Sequence, residues 1–434
     1  GTSAPGRHDD LFEVGDSLHA ALLVARLCRE LDVQLDAAIA FEHPTLAALA
    51  AAVDRVRAGG GAGPALALDA ELRLLDGLDP APLRRTPGTI LLTGATGTLG
   101  PPLLAALLAT SDRPVACLVR AEDEARGRER LRVALAAQRL RVDLDRVTVV
   151  LGDLERPRLG LTPEAFAALA AEVEVVVHSG ARLGELHPYA TVRAANVEGT
   201  AWALRLAAAA GARFHHVSTL AALAAEPGER VDEAFDLRRG PPAGGYAQSK
   251  WVAEHLVAEA GRRGLPVTVH RLGLVAGNRR TGVLLSGGTF ARVLAGVVHL
   301  GAHPPTDGIS APVVAADDCA AAIAAAVVDP DAAGRVLHLG PPEEVPLDAV
   351  FDLVRATGRP LRSLPADAWW ALADERGAAA TFGDLRLAAA TGAGRPPRYD
   401  SRATHAALAR AGVRVPPLGA PTLGAWLDDL GRAR

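Results

Sequence analysis

Methionine is absent from all 434 residues. In a chain this rich in alanine and arginine, bias alone can produce that. The alternative is that methionines carried as a modified residue are missing from the sequence. Neighbouring Cα atoms would then stand farther apart than the ~3.8 Å of a trans peptide at Gly15–Asp16, with comparable breaks elsewhere. Cysteine is scarce: Cys28, Cys117 and Cys319 are far apart, odd in number and without metal-ligand spacing. This excludes a disulfide scaffold and a cysteine-built zinc site, and predicts three buried thiols in a reducing cytoplasm with no metal. There is no long basic run, and the net charge is −4, so nucleic acid is excluded as a partner. Apolar stretches such as Ala320–Val328 are too short to cross a bilayer. The N-terminus lacks a basic–apolar–small leader pattern. The expectation is a soluble cytoplasmic protein with no membrane partner.

The length implies two or three domains with a large core. One stretch organises them, Thr93-Gly-Ala-Thr-Gly-Thr-Leu-Gly100. Apolar, β-favouring Thr89–Leu92 leads into it and a helical pattern leaves it, the context a dinucleotide-binding fingerprint requires. Gly94 permits the tight turn, Gly97 lets backbone N–H groups approach a pyrophosphate, and Gly100 allows close helix–strand packing. The helix start offers its N–H groups and dipole to that anion. Pro101 and Pro102 fall in the first turn, where a missing N–H does no harm. The spacing is G-x-x-G-x-x-G rather than G-x-G-x-x-G.

Behind the fingerprint, short β-branched runs alternate with helical stretches. The strand candidates are PVACLVR, VTVVLGDL, VEVVVHSG, RFHHVST, PVTVHRLG and RVLHLG. The helices are Glu122–Leu140, Thr191–Ala210 and Tyr246–Arg262. This order predicts an α/β fold, a doubly wound parallel Rossmann sheet with ligands at the carboxyl ends of its strands. Where an NAD site would end its second strand in a carboxylate, this chain has Arg120, which suits a 2′-phosphate, and Arg130 can add a second cation. Glu122, Asp123 and Glu124 lie nearby, so a solvated charged face is the other reading of both arginines. Asp153 is an adenine acceptor or a turn residue. His178 and His187 have no metal partners and read as structural.

Tyr246 and Lys250, four apart in GYAQSK, share a helix face. A nearby ammonium favours the phenolate, making the tyrosine a workable proton donor. Ser218-Thr219 ends a strand earlier in the chain, where either hydroxyl can meet it. Fingerprint, S-T and Y-x-x-x-K in this order resemble an extended short-chain dehydrogenase/reductase. That resemblance implies hydrogen bonding by Thr219 (or Ser218), proton donation by Tyr246, and ribose and tyrosine contacts by Lys250. It implies cofactor contacts at Thr93, Gly94, Thr96, Gly97, Thr98, Leu99, Gly100, Arg120, Arg130, Asp153, Leu154 and Lys250.

CLVRAEDEARGRERL, HSGARLGELHPYATVRAANVEGT, HHVSTLA and HRLGLVAGNRRTG narrow this further. Together they resemble the terminal thioester reductases of non-ribosomal peptide synthetases and their carboxylic acid reductase relatives. The likeness runs from about Thr89 to Gly282 and then fades, except at RVLHLG. It implies a smaller C-terminal substrate subdomain, in which Trp369, Trp370 and Phe382 form either aromatic core or an acyl channel.

The first sixty residues read as three short helices. Asp16-Ser17 by itself is a helix cap, but the run resembles the latter part of an acyl or peptidyl carrier domain, an all-α bundle. The serine of that family's G-x-D-S-L motif carries 4′-phosphopantetheine and maps to Ser17. The first helix of the family is missing, and Gly15 adjoins Asp16 directly; a lost methionine there would explain the short motif. A glycine-rich linker follows. The resulting division is a partial carrier over 1–57, a linker over 58–70 and a thioester reductase over 71–434. Within the reductase, the NADP-binding core covers about 86–282 plus strand 335–340, and the substrate subdomain mainly 283–334 and 341–434. The resemblance implies NADPH-dependent release of a carrier-bound acyl or peptidyl thioester as an aldehyde, possible further reduction to an alcohol, and upstream synthetase modules and a phosphopantetheinyl transferase as partners. Two other readings remain. A nucleotide-sugar epimerase or dehydratase is disfavoured by the carrier segment and Arg120. A redox-inactive domain that binds or cyclises acyl chains is disfavoured by the retained Tyr246.

Overall fold

Seven runs of apolar residues pair side by side, all parallel, because each is followed by a helix that returns the chain to the same edge. They are β1 (Thr89–Thr93), β2 (Val115–Val119), β3 (Val147–Leu151), β4 (Val173–His178), β5 (Arg213–Thr219), β6 (Val267–Leu272) and β7 (Val336–Leu339). The spatial order is β7-β6-β5-β4-β1-β2-β3. All seven coincide with the runs expected from sequence. The order reverses at β1, between β2 and β4, so the crevice for ligands lies outside the carboxyl ends of β1 and β4. Register places Thr93 beside Leu118 on one side and His178 on the other.

This computed structural model describes residues 6–11, 17–31, 33, 35, 39–58, 66–184, 187–306, 309–341, 345–378, 382 and 396–432. The Gly15–Asp16 bond lies outside them. Helices of nine or more residues are α1 (Ser17–Leu31), α2 (Leu46–Arg57), α3 (Gly100–Thr110), α4 (Glu124–Ala137), α5 (Pro163–Glu172), α6 (Gly199–Ala210), α7 (Gly245–Arg262), α8 (Thr289–Leu300), α9 (Ala316–Val328), α10 (Leu347–Ala356), α11 (Ala366–Glu375), α12 (Arg402–Arg410) and α13 (Ala420–Arg432).

Both sheet faces are covered. Leu103, Leu104 and Leu107 of α3, Leu131 and Leu135 of α4, and Ala320 and Ile323 of α9 bury one face. Leu204 of α6 and Val252 and Leu256 of α7 bury the other. Although α9 falls in the span 283–334, it lies in the layer that covers the sheet. A third core joins Phe290 and Leu294 of α8, Phe351 of α10, Trp369 and Phe382 to Trp426 of α13. Trp369 and Phe382 are fully buried, with ring centroids 4.6 Å apart, and the Trp369 indole donates to the Ala302 carbonyl at 2.9 Å. They are therefore core, as one of the two readings had it.

The N-terminal segment has its own small core, including Ala20, Val24, Ile39, Leu49 and Val53. Thr45 caps α2, its hydroxyl accepting from Ala48 N–H at 3.2 Å. Ser17 opens α1; its side chain is outside the described residues. Cys117 and Cys319 are buried free thiols, but Cys28 is only half-buried, because it lies in this thin bundle and not beneath the sheet. Among the described residues no helix is long and apolar enough to cross a membrane, and no cluster of His, Cys, Asp and Glu could hold a metal ion.

Candidate functional site

The turn after β1 is shaped by two glycines with different reasons to be glycine. Gly94 has φ +75°, and a Cβ there would stand 2.6 Å from the Gly180 nitrogen. At Gly100 a Cβ would meet the Gly94 carbonyl oxygen at 2.2 Å, so only glycine lets α3 start this close to the strand. Gly97 is exposed, and a Cβ there would meet only the Gly94 oxygen, at 3.3 Å. That leaves room above the turn for an anion. No side chain caps the N-terminus of α3, so its positive end is directed at that space.

The threonine of this fingerprint faces inward. Thr93 is fully buried; its hydroxyl accepts from Gly180 N–H at 3.0 Å and lies 2.9 Å from His178 Nδ1. Thr200 donates its proton to the Asn196 carbonyl at 2.6 Å and lies 3.0 Å from His178 Nε2. A carbonyl only accepts, so Thr200 must accept from Nε2–H, and Nδ1 accepts from Thr93. Burial and the Lys250 charge keep His178 neutral, its pKa pushed down to about 3. Thus Thr93 and His178 clamp the β1 turn against the loop after β4.

Around that turn a groove runs along the carboxyl edge of the sheet. One hollow of about 470 Å³ is lined by Gly94, Thr96, Gly97, Arg120, Asp153 and Leu154, among others. It shares Gly94, Gly97, Gly180 and Ala181 with a second of about 540 Å³ that holds Thr98, Leu99, Thr219, Tyr246 and Lys250. The residues expected to bind cofactor and those expected to do chemistry therefore line one continuous groove, with Thr93 beneath it. Asp153 accepts from Glu155 N–H at 3.0 Å, so the turn reading holds for one of its oxygens while the residue still lines the groove.

At the far end Arg120 closes β2 and is exposed, and the Arg130 guanidinium donates to its carbonyl. Arg126 lines the same end, an outer hollow that also includes Glu122 and Glu129. Among the described residues no ion pair engages Arg120, Arg126 or Arg130. An uncovered turn, an uncapped helix end and three unpaired cations fit a dinucleotide with an additional phosphate.

At the near end Lys250 is buried and donates to the Val217 carbonyl at 2.7 Å. Burial pushes its pKa down to about 8, against an opposing pull from Glu254. Tyr246, one turn earlier on α7, is half-buried. The two candidate hydroxyls separate here. Ser218 is buried and donates to Glu254 at 2.5 Å. Thr219 is half-buried and accepts from Ala221 N–H at 3.2 Å, which leaves its own proton available to donate.

One polar residue that the sequence reading did not identify ties these pieces together. Asn196 sits in a π-helical turn, Ala194–Glu198, just before α6. Such turns commonly present a side chain at a site. Its amide accepts from Arg182 N–H at 2.7 Å and donates to the Arg182 carbonyl at 3.0 Å and to Ser249 at 2.9 Å. Ser249 in turn donates to the Tyr246 carbonyl at 2.7 Å. The loop lining the groove is thereby fixed to the first turn of α7. Asn196 lies in ANVEGT, but its role depends on a π turn that periodicity does not reveal.

Comparison with known proteins agrees with this geometry. Residues 92–323 match the NAD-binding family described as Male sterility protein, and residues 2–53 the one described as Phosphopantetheine attachment site. The chain is 39% identical over 320 residues to a linear gramicidin synthase of Brevibacillus parabrevis, covering 70% of this chain and 6% of that protein. It is 36% identical over 384 residues to glycine betaine reductase ATRR of Emericella nidulans, covering 84% and 30%. The chain thus spans less than a third of the length of either relative. The solved terminal R domain from the myxalamid PKS-NRPS biosynthetic pathway superposes with TM-score 0.77 at 36% identity, covering 84% of this chain and 97% of that one. A thiolation-reductase di-domain from an archaeal non-ribosomal peptide synthetase shares the fold, with TM-score 0.74 at 20% identity, over 100% and 94%. Carrier signature, seven-stranded Rossmann sheet and groove thus lead to one assignment: the chain belongs to the terminal reductase domains of non-ribosomal peptide synthetases, oxidoreductases with a nicotinamide-dinucleotide fold, here preceded by a phosphopantetheine-attachment domain.

Proposed function

We propose that this chain reduces an acyl or peptidyl thioester, carried on a 4′-phosphopantetheine arm at Ser17, with NADPH and releases it as an aldehyde. The observation that carries this reading is the single groove joining the unpaired arginines at the end of β2 to Thr219, Tyr246 and Lys250 at the ends of β5 and α7. In this reading Arg120 and Arg130 bind the 2′-phosphate. Gly94, Thr96, Gly97, Thr98, Leu99 and Gly100 cradle the pyrophosphate, Asp153 and Leu154 border the adenosine, and Thr93 supports the turn from below.

When bound, NADPH supplies the hydride. The chain's own residues do the rest. Thr219 and Tyr246 donate hydrogen bonds to the thioester carbonyl oxygen as charge develops there. The Tyr246 proton passes to that oxygen, giving a thiohemiacetal, and the buried Lys250 ammonium stabilises the phenolate left behind. Returning that proton to the phenolate re-forms C=O as the C–S bond breaks. The departing thiolate takes up a proton from solvent, the one net proton of the reaction, as the free arm thiol, and the aldehyde is released. A second hydride and proton would give an alcohol.

Loading Ser17 requires a phosphopantetheinyl transferase, and upstream synthetase modules supply the acyl group. The division into carrier (1–57), linker (58–70) and reductase (71–434) is part of the same proposal. The test is product analysis with a simple acyl-pantetheine thioester and NADPH. Aldehyde formed as NADPH is consumed supports the reading; cyclised or hydrolysed acyl product without NADPH consumption would refute it.

A further inference from the structure

Two turns beyond Tyr246 and one beyond Lys250, α7 carries a carboxylate outside the groove lining. Glu254 is 2% exposed. It accepts from Ser218 of β5 at 2.5 Å and from the Arg271 guanidinium of β6 at 2.8–3.1 Å. Arg271, equally buried, also donates to His338 Nε2 of β7 at 3.3 Å, and His338 Nδ1 faces the Asp400 carbonyl at 3.2 Å. One carboxylate thus ties α7 to the ends of two adjacent strands and, through Arg271, to a third.

A buried ion pair is a poor stabiliser, because desolvation offsets much of the attraction and an apolar pair of the same volume often does as well. Its location is more informative. Ser218 is the residue before Thr219, and Leu272, which lines the groove, follows Arg271. We infer that Glu254 is a positioning residue for the reduction: it fixes the ends of β5 and β6 against the α7 face bearing Tyr246 and Lys250, and holds a negative charge one turn from the Lys250 ammonium. This rests on the proposed roles of Thr219, Tyr246 and Lys250.

The other groups around Lys250 do not supply that charge. His178 of β4 and His216 of β5 are buried and held neutral; Tyr246 precedes it on α7, the Val217 carbonyl of β5 accepts from it, and Arg271 lies behind Glu254. His338 on β7 is likewise held neutral by burial and Arg271, its pKa down at about 4. Glu254 is the group that opposes loss of the Lys250 proton. Without it the ammonium would meet burial and the uncompensated Arg271 charge together.

The test is the pH dependence of kcat for the full chain acting on an acyl-pantetheine thioester with NADPH, from about pH 6 to about pH 10. Glu254→Gln should move the alkaline limb down by about one pH unit. Glu254→Asp, which keeps the charge and a partner for Arg271, should keep the limb in place and lower kcat several-fold through the shortened tie. A Glu254→Gln enzyme that loses thermal stability but keeps the wild-type limb would show that the pair only supports the fold. If Glu254→Gln does not fold, unchanged kcat in Glu254→Asp overturns the inference by itself. Tyr246→Phe separates the two levels. Full turnover there removes the catalytic reading and this inference together; lost turnover with an unmoved limb in Glu254→Gln removes only the inference.

Discussion

Replacing Arg120 with alanine removes one cation from the end of β2 and leaves its neighbour in place, because Arg130 is held by the Arg120 backbone carbonyl and not by its side chain. The variant should therefore report the loss of a single charge-assisted contact. Such contacts contribute about 1.5–3 kcal/mol. Arg120 is exposed, so solvent screening puts the loss near the lower end, about 1.5–2 kcal/mol. That corresponds to about 13- to 30-fold weaker NADPH binding, with NADH binding changed less than about twofold, since NADH has no 2′-phosphate to lose. Calorimetric titration of both cofactors measures this directly. The NADPH penalty should also shrink as ionic strength rises from about 0.05 to about 0.5 M. Equal losses for NADPH and NADH, or a penalty indifferent to salt, would show that Arg120 supports only the fold.

Tyr246→Phe should leave NADPH affinity nearly intact while single-turnover reduction falls about 100-fold or more; unchanged turnover would remove Tyr246 from the mechanism. Five buried histidines predict acid lability. Burial holds His178 and His270 down to about 3 and His338 down to about 4, and His215 and His216 well below 6.5. The unfolded chain therefore binds more protons below about pH 6.5, and stability falls as pH drops from there toward about 3, by up to about 1.4 kcal/mol per pH unit for each histidine. Urea midpoints at about pH 7.5 and 5.5 measure it; equal midpoints would refute it. Ser17→Ala should abolish turnover of carrier-loaded substrate by removing the attachment point, yet leave reduction of free acyl-pantetheine thioester intact. So should a chain beginning near Asp69; loss of the free reaction in either would show that the two parts are not separable.

The strands were legible because a parallel sheet buried on both faces needs short, continuous β-branched runs, and VACLV, VEVVVH and VTVHRL are such runs. Gly94 and Gly100 were legible because backbone geometry forbids other residues there. The preference for Thr219 over Ser218 came from the family resemblance and not from the strand pattern, since neighbouring residues on a strand differ only in which face they meet; that Ser218 is engaged by Glu254 is visible only in the fold. Asn196 was hidden by a π turn inside a stretch whose periodicity reads as one helix from Thr191 to Ala210. Thr93 belongs to the fingerprint in sequence, but its hydroxyl is turned inward by His178, a contact between residues 85 apart.

The stripe along α7 has a consequence for how this chain can vary. Tyr246, Lys250 and Glu254 are spaced four residues apart, each step rising about 6 Å and returning to nearly the same angle. Inserting or deleting one residue between them would turn everything downstream by about 100°. Lys250 would leave the Val217 carbonyl, and Glu254 would leave Ser218 and Arg271. Substitutions at intervening positions change one side chain, whereas a length change alters the phase of the whole helix. Relatives and engineered variants can therefore differ widely in composition across this segment, but an insertion or deletion must fall before Gly245 or after Glu254.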